Sequence, residues 1–137
     1  MAVVNELIRE ESDGSISFGN YELAAKSKHD DFKHQGDIYK VKTFNEITKL
    51  EKNGSFVYES VPGTTVLNLN ITEDGMSFGV EGKDNAQITV ALEDEAEYSI
   101  TVNGKDAGTI KTSLGGKLSL SAEFGSSHHV DVVIKKI

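Results

Sequence analysis

The chain has 137 residues, 13 of them glycine and none cysteine, and a formal net charge of −8 from 14 basic and 22 acidic side chains. That length is enough for one packed core. The missing cysteines exclude disulfides, thiol catalysis and thiolate-bound zinc. The acidic balance, with Arg9 the single arginine, argues against a nucleic-acid partner and leaves no arginine cluster to grip carboxylate or phosphate.

Residues 1–10 lack the basic start and sustained apolar run of a signal peptide. No stretch approaches the roughly 20 apolar residues of a membrane span. A cytoplasmic location with no membrane partner is therefore expected, although a chain whose leader had been removed would read the same.

In chain order, residues 7–11 and 15–21 flank Ser12-Asp13-Gly14 and form a first expected hairpin. Val3, Val4, Leu7 and Ile8 would also share one helical face, but the run is short. Residues 22–37 are polar and aperiodic, which predicts a long loop, with room for one helical turn. A strand is expected over 38–43. Residues 47–52 and 55–59 flank Asn53-Gly54, a strong hairpin signal. Val61-Pro62-Gly63-Thr64 interrupts the pattern, and Pro followed by Gly suits a type II turn. That break divides an N-terminal hairpin region, residues 1–60, from a C-terminal sandwich region, residues 61–137.

The second region alternates plainly. Leu67, Leu69 and Ile71 form one apolar row, then Met76, Phe78 and Val80 follow Glu73-Asp74-Gly75. Ile88, Val90 and Leu92 come next, then Tyr98, Ile100 and Val102 before Asn103-Gly104. A short strand at 109–111, then Leu118, Leu120 and Ala122, then Val130, Val132 and Ile134 complete the series. About seven short strands with turns every eight to twelve residues predict an all-β, antiparallel β-sandwich. Leu92 and Tyr98 have the spacing of a tyrosine corner, with Asp94 where the usual proline would stand, which points to an immunoglobulin-like C-terminal half with the N-terminal hairpins extending or capping it. Asp13-Gly14-Ser15-Ile16-Ser17-Phe18-Gly19 echoes Asp74-Gly75-Met76-Ser77-Phe78-Gly79. Their flanks do not match, so reuse of a good turn dipeptide explains the echo better than duplication.

Few constellations carry chemistry. His29, Asp30, Asp31, His34 and Asp37 could hold a divalent ion, but their spacing matches no metal motif and a solvated loop is the simpler reading. Glu93, Asp94, Glu95 and Glu97 lack the spacing of a calcium loop and read as an exposed corner that discourages aggregation. His128 and His129, being adjacent on a strand, point to opposite faces. Neither a nucleophile elbow nor a phosphate-binding glycine loop is present. With no tryptophan, a glycan platform would fall to Tyr21, Phe32, Tyr39, Tyr58 and Phe124, most of which sit on alternating strands and read as core. Tyr39, Tyr58 and Phe32 are the candidate glycan or partner contacts. No catalytic residue, metal or cofactor is assigned.

Through Ser17-Phe18-Gly19-Asn20-Tyr21-Glu22, Tyr39-Lys40-Val41-Lys42-Thr43-Phe44, residues 47–54 and residues 58–64, the chain resembles, over nearly its whole length, a group of small bacterial proteins. Some of these carry the name endosialidase. Sialidases as a family grip the substrate carboxylate with several arginines on a much larger propeller. One arginine and 137 residues fit neither requirement, so no catalytic residue follows from the name. Residues 98–137 also resemble small sandwich modules appended to glycan-active enzymes. The resulting expectation is a non-catalytic structural or interaction module that self-associates as a homo-oligomer. A carbohydrate-binding module is the alternative, and a glycan-active enzyme the third reading.

Overall fold

The computed structural model describes residues 3–125 and 128–137. It is an all-β sandwich of two antiparallel sheets with no α-helix among the described residues. The strands are β1 (Ile8–Glu10), β2 (Ile16–Phe18), β3 (Ser27–His34), β4 (Asp37–Thr43), β5 (Thr48–Lys52), β6 (Ser55–Val61) and β7 (Thr65–Thr72). They continue as β8 (Gly75–Glu81), β9 (Ala86–Ala91), β10 (Glu97–Val102), β11 (Lys105–Lys111), β12 (Lys117–Ala122) and β13 (His129–Lys136). One sheet has the order β1-β2-β7-β8-β13-β10-β11; the other has the order β12-β9-β6-β5-β4-β3.

Both halves of the sequence build both sheets. β2 pairs with β7, β6 pairs with β9, and one apolar cluster runs from Ile8 through Tyr58 to Ile134. The N-terminal hairpins extend both sheets. Within 61–137 the pairing is not the ABED/CFG order of an immunoglobulin domain. The last strand, β13, lies between β8 and β10, in the sheet opposite β9 and β12.

Local chemistry explains the tight connections. Asn53 and Gly54 have φ of 51° and 81°, and Asn103 and Gly104 have 52° and 78°. Two successive positive φ values make the type I′ turns that join β5 to β6 and β10 to β11. At the β6–β7 crossing the Val61–Pro62 peptide is cis. The expected type II turn is not formed, because Gly63 does not take the positive φ which that turn requires. Glycine is needed at 63 for space instead: a Cβ there would lie 2.0 Å from the Phe44 carbonyl oxygen.

Two other expectations change. Residues 22–37 are not a loop throughout, since 27–34 form β3, an edge strand. A bulge between His29 and Phe32, with Asp31 at φ 58°, breaks its alternation, and its solvent-facing positions are charged. In β7 the buried apolar residues are Val66 and Leu69, while Ile71 is 39% exposed. A bulge at Leu67–Asn68, with Asn68 at φ 55°, shifts the inward face by one residue.

A buried hydroxyl network locks the β6–β7 crossing to β4, β5 and β6 and to the loop after β2. Thr48 Oγ1 donates to the Thr64 carbonyl at 2.7 Å and accepts from the Thr64 amide at 3.1 Å. Its single proton is thereby used, so the Thr43 hydroxyl donates to it at 2.8 Å, while Thr43 accepts from the Asn20 amide at 2.9 Å. Thr64 Oγ1 in turn meets the Tyr58 hydroxyl at 2.8 Å and Ser60 Oγ at 2.7 Å.

Candidate functional site

The aromatic candidates lie inside. Tyr58 is fully buried, with Phe18 and Phe78 packed edge-on against it at 5.4 and 5.7 Å. Burial holds its phenol well above the ordinary tyrosine range, although hydrogen bonds from Thr64 and Ser60 oppose the shift. Tyr39 is buried beside His34, and Phe32 is half-buried on the core side of β3. Tyr21 and Phe124 are buried too. None of Tyr21, Tyr39, Tyr58 and Phe124 offers an open ring face of the kind sugar stacking uses. The Tyr21 hydroxyl has no hydrogen-bond partner among the described residues, and burial, then Glu22 and Glu81, push its pKa up to about 12.

The histidine–aspartate candidates separate. His34 turns inward; its Nδ1 lies 2.6 Å from Glu10 and its Nε2 lies 2.9 Å from the Gly14 carbonyl, tying β3 to the first hairpin. His29 packs edge-on to Phe32, Asp30 lies 4.0 Å from Lys40, and Asp37 accepts from Asn53 at 2.9 Å. Among the described residues no group of three or more His, Asp or Glu is placed to hold a metal ion.

The acidic corner is structural in its backbone. The Glu93 amide donates to the Tyr98 hydroxyl at 3.2 Å, and Tyr98 is buried. Leu92 is half-buried against the core, and its amide donates to the Gly116 carbonyl at 2.8 Å. Thr112 Oγ1 donates to the Glu93 carbonyl at 2.5 Å and accepts from the Ala96 amide at 2.9 Å. These bonds clamp the β9–β10 turn to the β11–β12 turn, from which Leu114 projects 81% exposed.

His128 lies in the turn before β13, at φ 57°, with its Nδ1 3.3 Å from the Gly82 carbonyl, so the expected alternation of the pair along one strand does not apply. His129 sits on the outer face of its sheet, 3.1 Å from Glu81 and 2.8 Å from Asp131. Burial opposes its charge, but the two carboxylates outweigh that and hold its pKa above the usual histidine value.

The surface depressions differ in lining: His34, Asp37, Tyr39 and Lys52 share one of about 210 Å³, whereas two larger ones are sparsely charged. One of about 530 Å³ is lined by Ala24, Asn45, Glu46, Val61 and Pro62. Another, of about 310 Å³, lies over Met76, Val133 and their neighbours, with Asp74 and Lys135 as its only ionisable groups.

The feature that stands out is a sheet edge. Of the four edge strands, β1 has three residues, β3 is bulged and charged, and β11 is interrupted. In β11 Gly108 has φ 105° and its amide bonds to Asp106, within a bulge of β11 that lies opposite Ser99–Thr101 of β10. These are the usual protections of an exposed edge. β12 has neither bulge nor break, and Lys117 at its start is its one charge: its register with β9 runs unbroken from Lys117↔Ala91 to Ala122↔Ala86. Continuing that register, Gly116 and Leu92 form a hydrogen-bonded pair. Because such pairs alternate, Leu118, Leu120 and Ala122 bond to β9, while the N–H and C=O of Lys117, Ser119 and Ser121 face outward. The short Ser119–Thr89 hydroxyl contact of 3.0 Å fits that assignment. Among the described residues no backbone group bonds to that outer side. The alternation in 118–122 was legible in sequence; that this strand would be an unprotected edge was not, because edge position is a property of topology. The chain matches no family model, no curated protein and no solved structure.

Proposed function

We propose that this protein is a non-catalytic interaction module that self-associates. The observation that carries the reading is the β12 edge: six residues of regular strand with outward backbone groups unpaired and no bulge, proline or charge run to repel another strand. The exposed Leu114 beside it supports the same reading, since a contact there would take its apolar surface out of water. In the depression that His34 lines, both of its ring nitrogens are taken, by Glu10 and by the Gly14 carbonyl, so it ties the fold together rather than serving a reaction.

Light scattering of the purified chain from micromolar to millimolar concentration tests it. A defined oligomer is the expected result. A monomer throughout that range overturns the reading and turns attention to soluble glycans as ligands.

A further inference from the structure

We infer that the self-association is an isologous dimer in which β12 pairs antiparallel with β12 of a second copy, centred on Ser119. The inference rests on the self-association proposed above and specifies its geometry.

Parity selects the register. Only Lys117, Ser119 and Ser121 direct N–H and C=O outward, so these must oppose one another in the hydrogen-bonded pairs of a new ladder. A two-fold axis through Ser119 uses all of them. Ser119 faces Ser119 of the second copy, and Lys117 faces Ser121.

The side chains then agree with the symmetry. On the core side Leu118 stands opposite Leu120 of the other copy, and Leu120, half-exposed in the single chain, is covered. On the outer face serine meets serine, and the two Lys117 ammonium groups lie at opposite ends of the ladder, so no like charges are opposed. Beyond the strand ends the same axis carries the turn bearing Leu114 towards residues 122–124 of the second copy, where an 81% exposed leucine gains a place to pack. Because antiparallel pairing keeps faces aligned, the β12-β9-β6-β5-β4-β3 sheet continues across the dimer.

A second copy is favoured over an unrelated extended peptide because the strand pairs with itself in register, sets leucine against leucine and opposes no like charges. A closed two-fold contact also stops at two chains rather than growing.

Cysteine crosslinking reads the register directly, since the chain has no other cysteine. Opposed hydrogen-bonded residues have Cα atoms about 5.5 Å apart, within disulfide reach. Ser119→Cys should therefore give a covalent dimer under mild oxidation. Ser121→Cys should not, because two such residues would be four strand positions, roughly 14 Å, apart. A third variant, Ser119→Pro, removes the outward N–H without touching the bonds to β9, and should leave a folded monomer. If the unmodified chain oligomerises while Ser119→Cys fails to crosslink, or Ser121→Cys crosslinks as fast, this pairing is wrong and self-association stands. If the unmodified chain is monomeric at every concentration, both readings fall.

Discussion

Replacing Thr64 with valine tests whether the β6–β7 crossing is held by its hydroxyl network. Thr64 is fully buried, and its Oγ1 is the hydrogen-bond partner of both the Tyr58 hydroxyl and Ser60 Oγ. Valine keeps the shape but removes that oxygen, so the buried Tyr58 and Ser60 hydroxyls each lose their Thr64 partner. Each such loss costs about 1–3 kcal/mol, so a net loss of roughly 3 kcal/mol is expected after the small gain from an added methyl. For a domain of this size that lowers Tm by about 10 °C. The assay is urea and thermal unfolding followed by circular dichroism, with Tyr58→Phe and the double variant completing a cycle. Phenylalanine removes one of those hydroxyls, so the double variant should be less destabilised than the sum of the singles by about 1 kcal/mol or more. A Thr64→Val protein within about 0.5 kcal/mol of the parent, with the two changes strictly additive, would refute the reasoning.

Tyr21, Tyr58 and His129 give contrasting expectations. Tyr21→Phe removes a buried hydroxyl that has no partner among the described residues, so unfolding assays should show stability unchanged or slightly raised, whereas Tyr58→Phe should cost about 1 kcal/mol. Both tyrosine pKa values are raised in the fold. Stability from these groups is therefore intact below the unfolded value near 10 and declines as pH rises above it, and a phenolate absorbance titration should show ionisation coincident with unfolding. His129 follows the same sign at lower pH. Its contribution is full below about 6.5 and fades as pH rises through its raised folded value. His129→Gln should flatten unfolding free energy across that interval. Gly63→Ala, which drives a methyl into the Phe44 carbonyl, should destabilise by several kcal/mol or prevent folding, as judged by soluble yield and circular dichroism.

The sandwich was legible because its inner faces repeat with a period of two. Met76, Phe78 and Val80, like Val130, Val132 and Ile134, all face the core, and Asn53-Gly54 and Asn103-Gly104 mark hairpins through their backbone preference alone. Where the pattern misled, a bulge was responsible. Asn68 and Asp31 each take a positive φ, and that shifts β7 by one residue and conceals β3 within a polar stretch. Residues near in sequence also proved separate in space: His34 reaches back to Glu10 rather than to its neighbouring aspartates. The candidate interface was illegible for a different reason. Lys117–Ala122 reads as an ordinary amphipathic strand, and only the sheet order places it at an edge with its outward groups unpaired.

Amide hydrogen exchange resolved to single residues, followed as a function of protein concentration, tests the central claim most directly. The Leu118 and Leu120 amides bond to β9 and should exchange slowly at every concentration. The Ser119 and Ser121 amides face the open edge and should exchange rapidly in dilute solution, then become protected as chains pair. Fast exchange at Ser119 and Ser121 that does not change with concentration, in a sample whose mass stays that of one chain, would contradict the account.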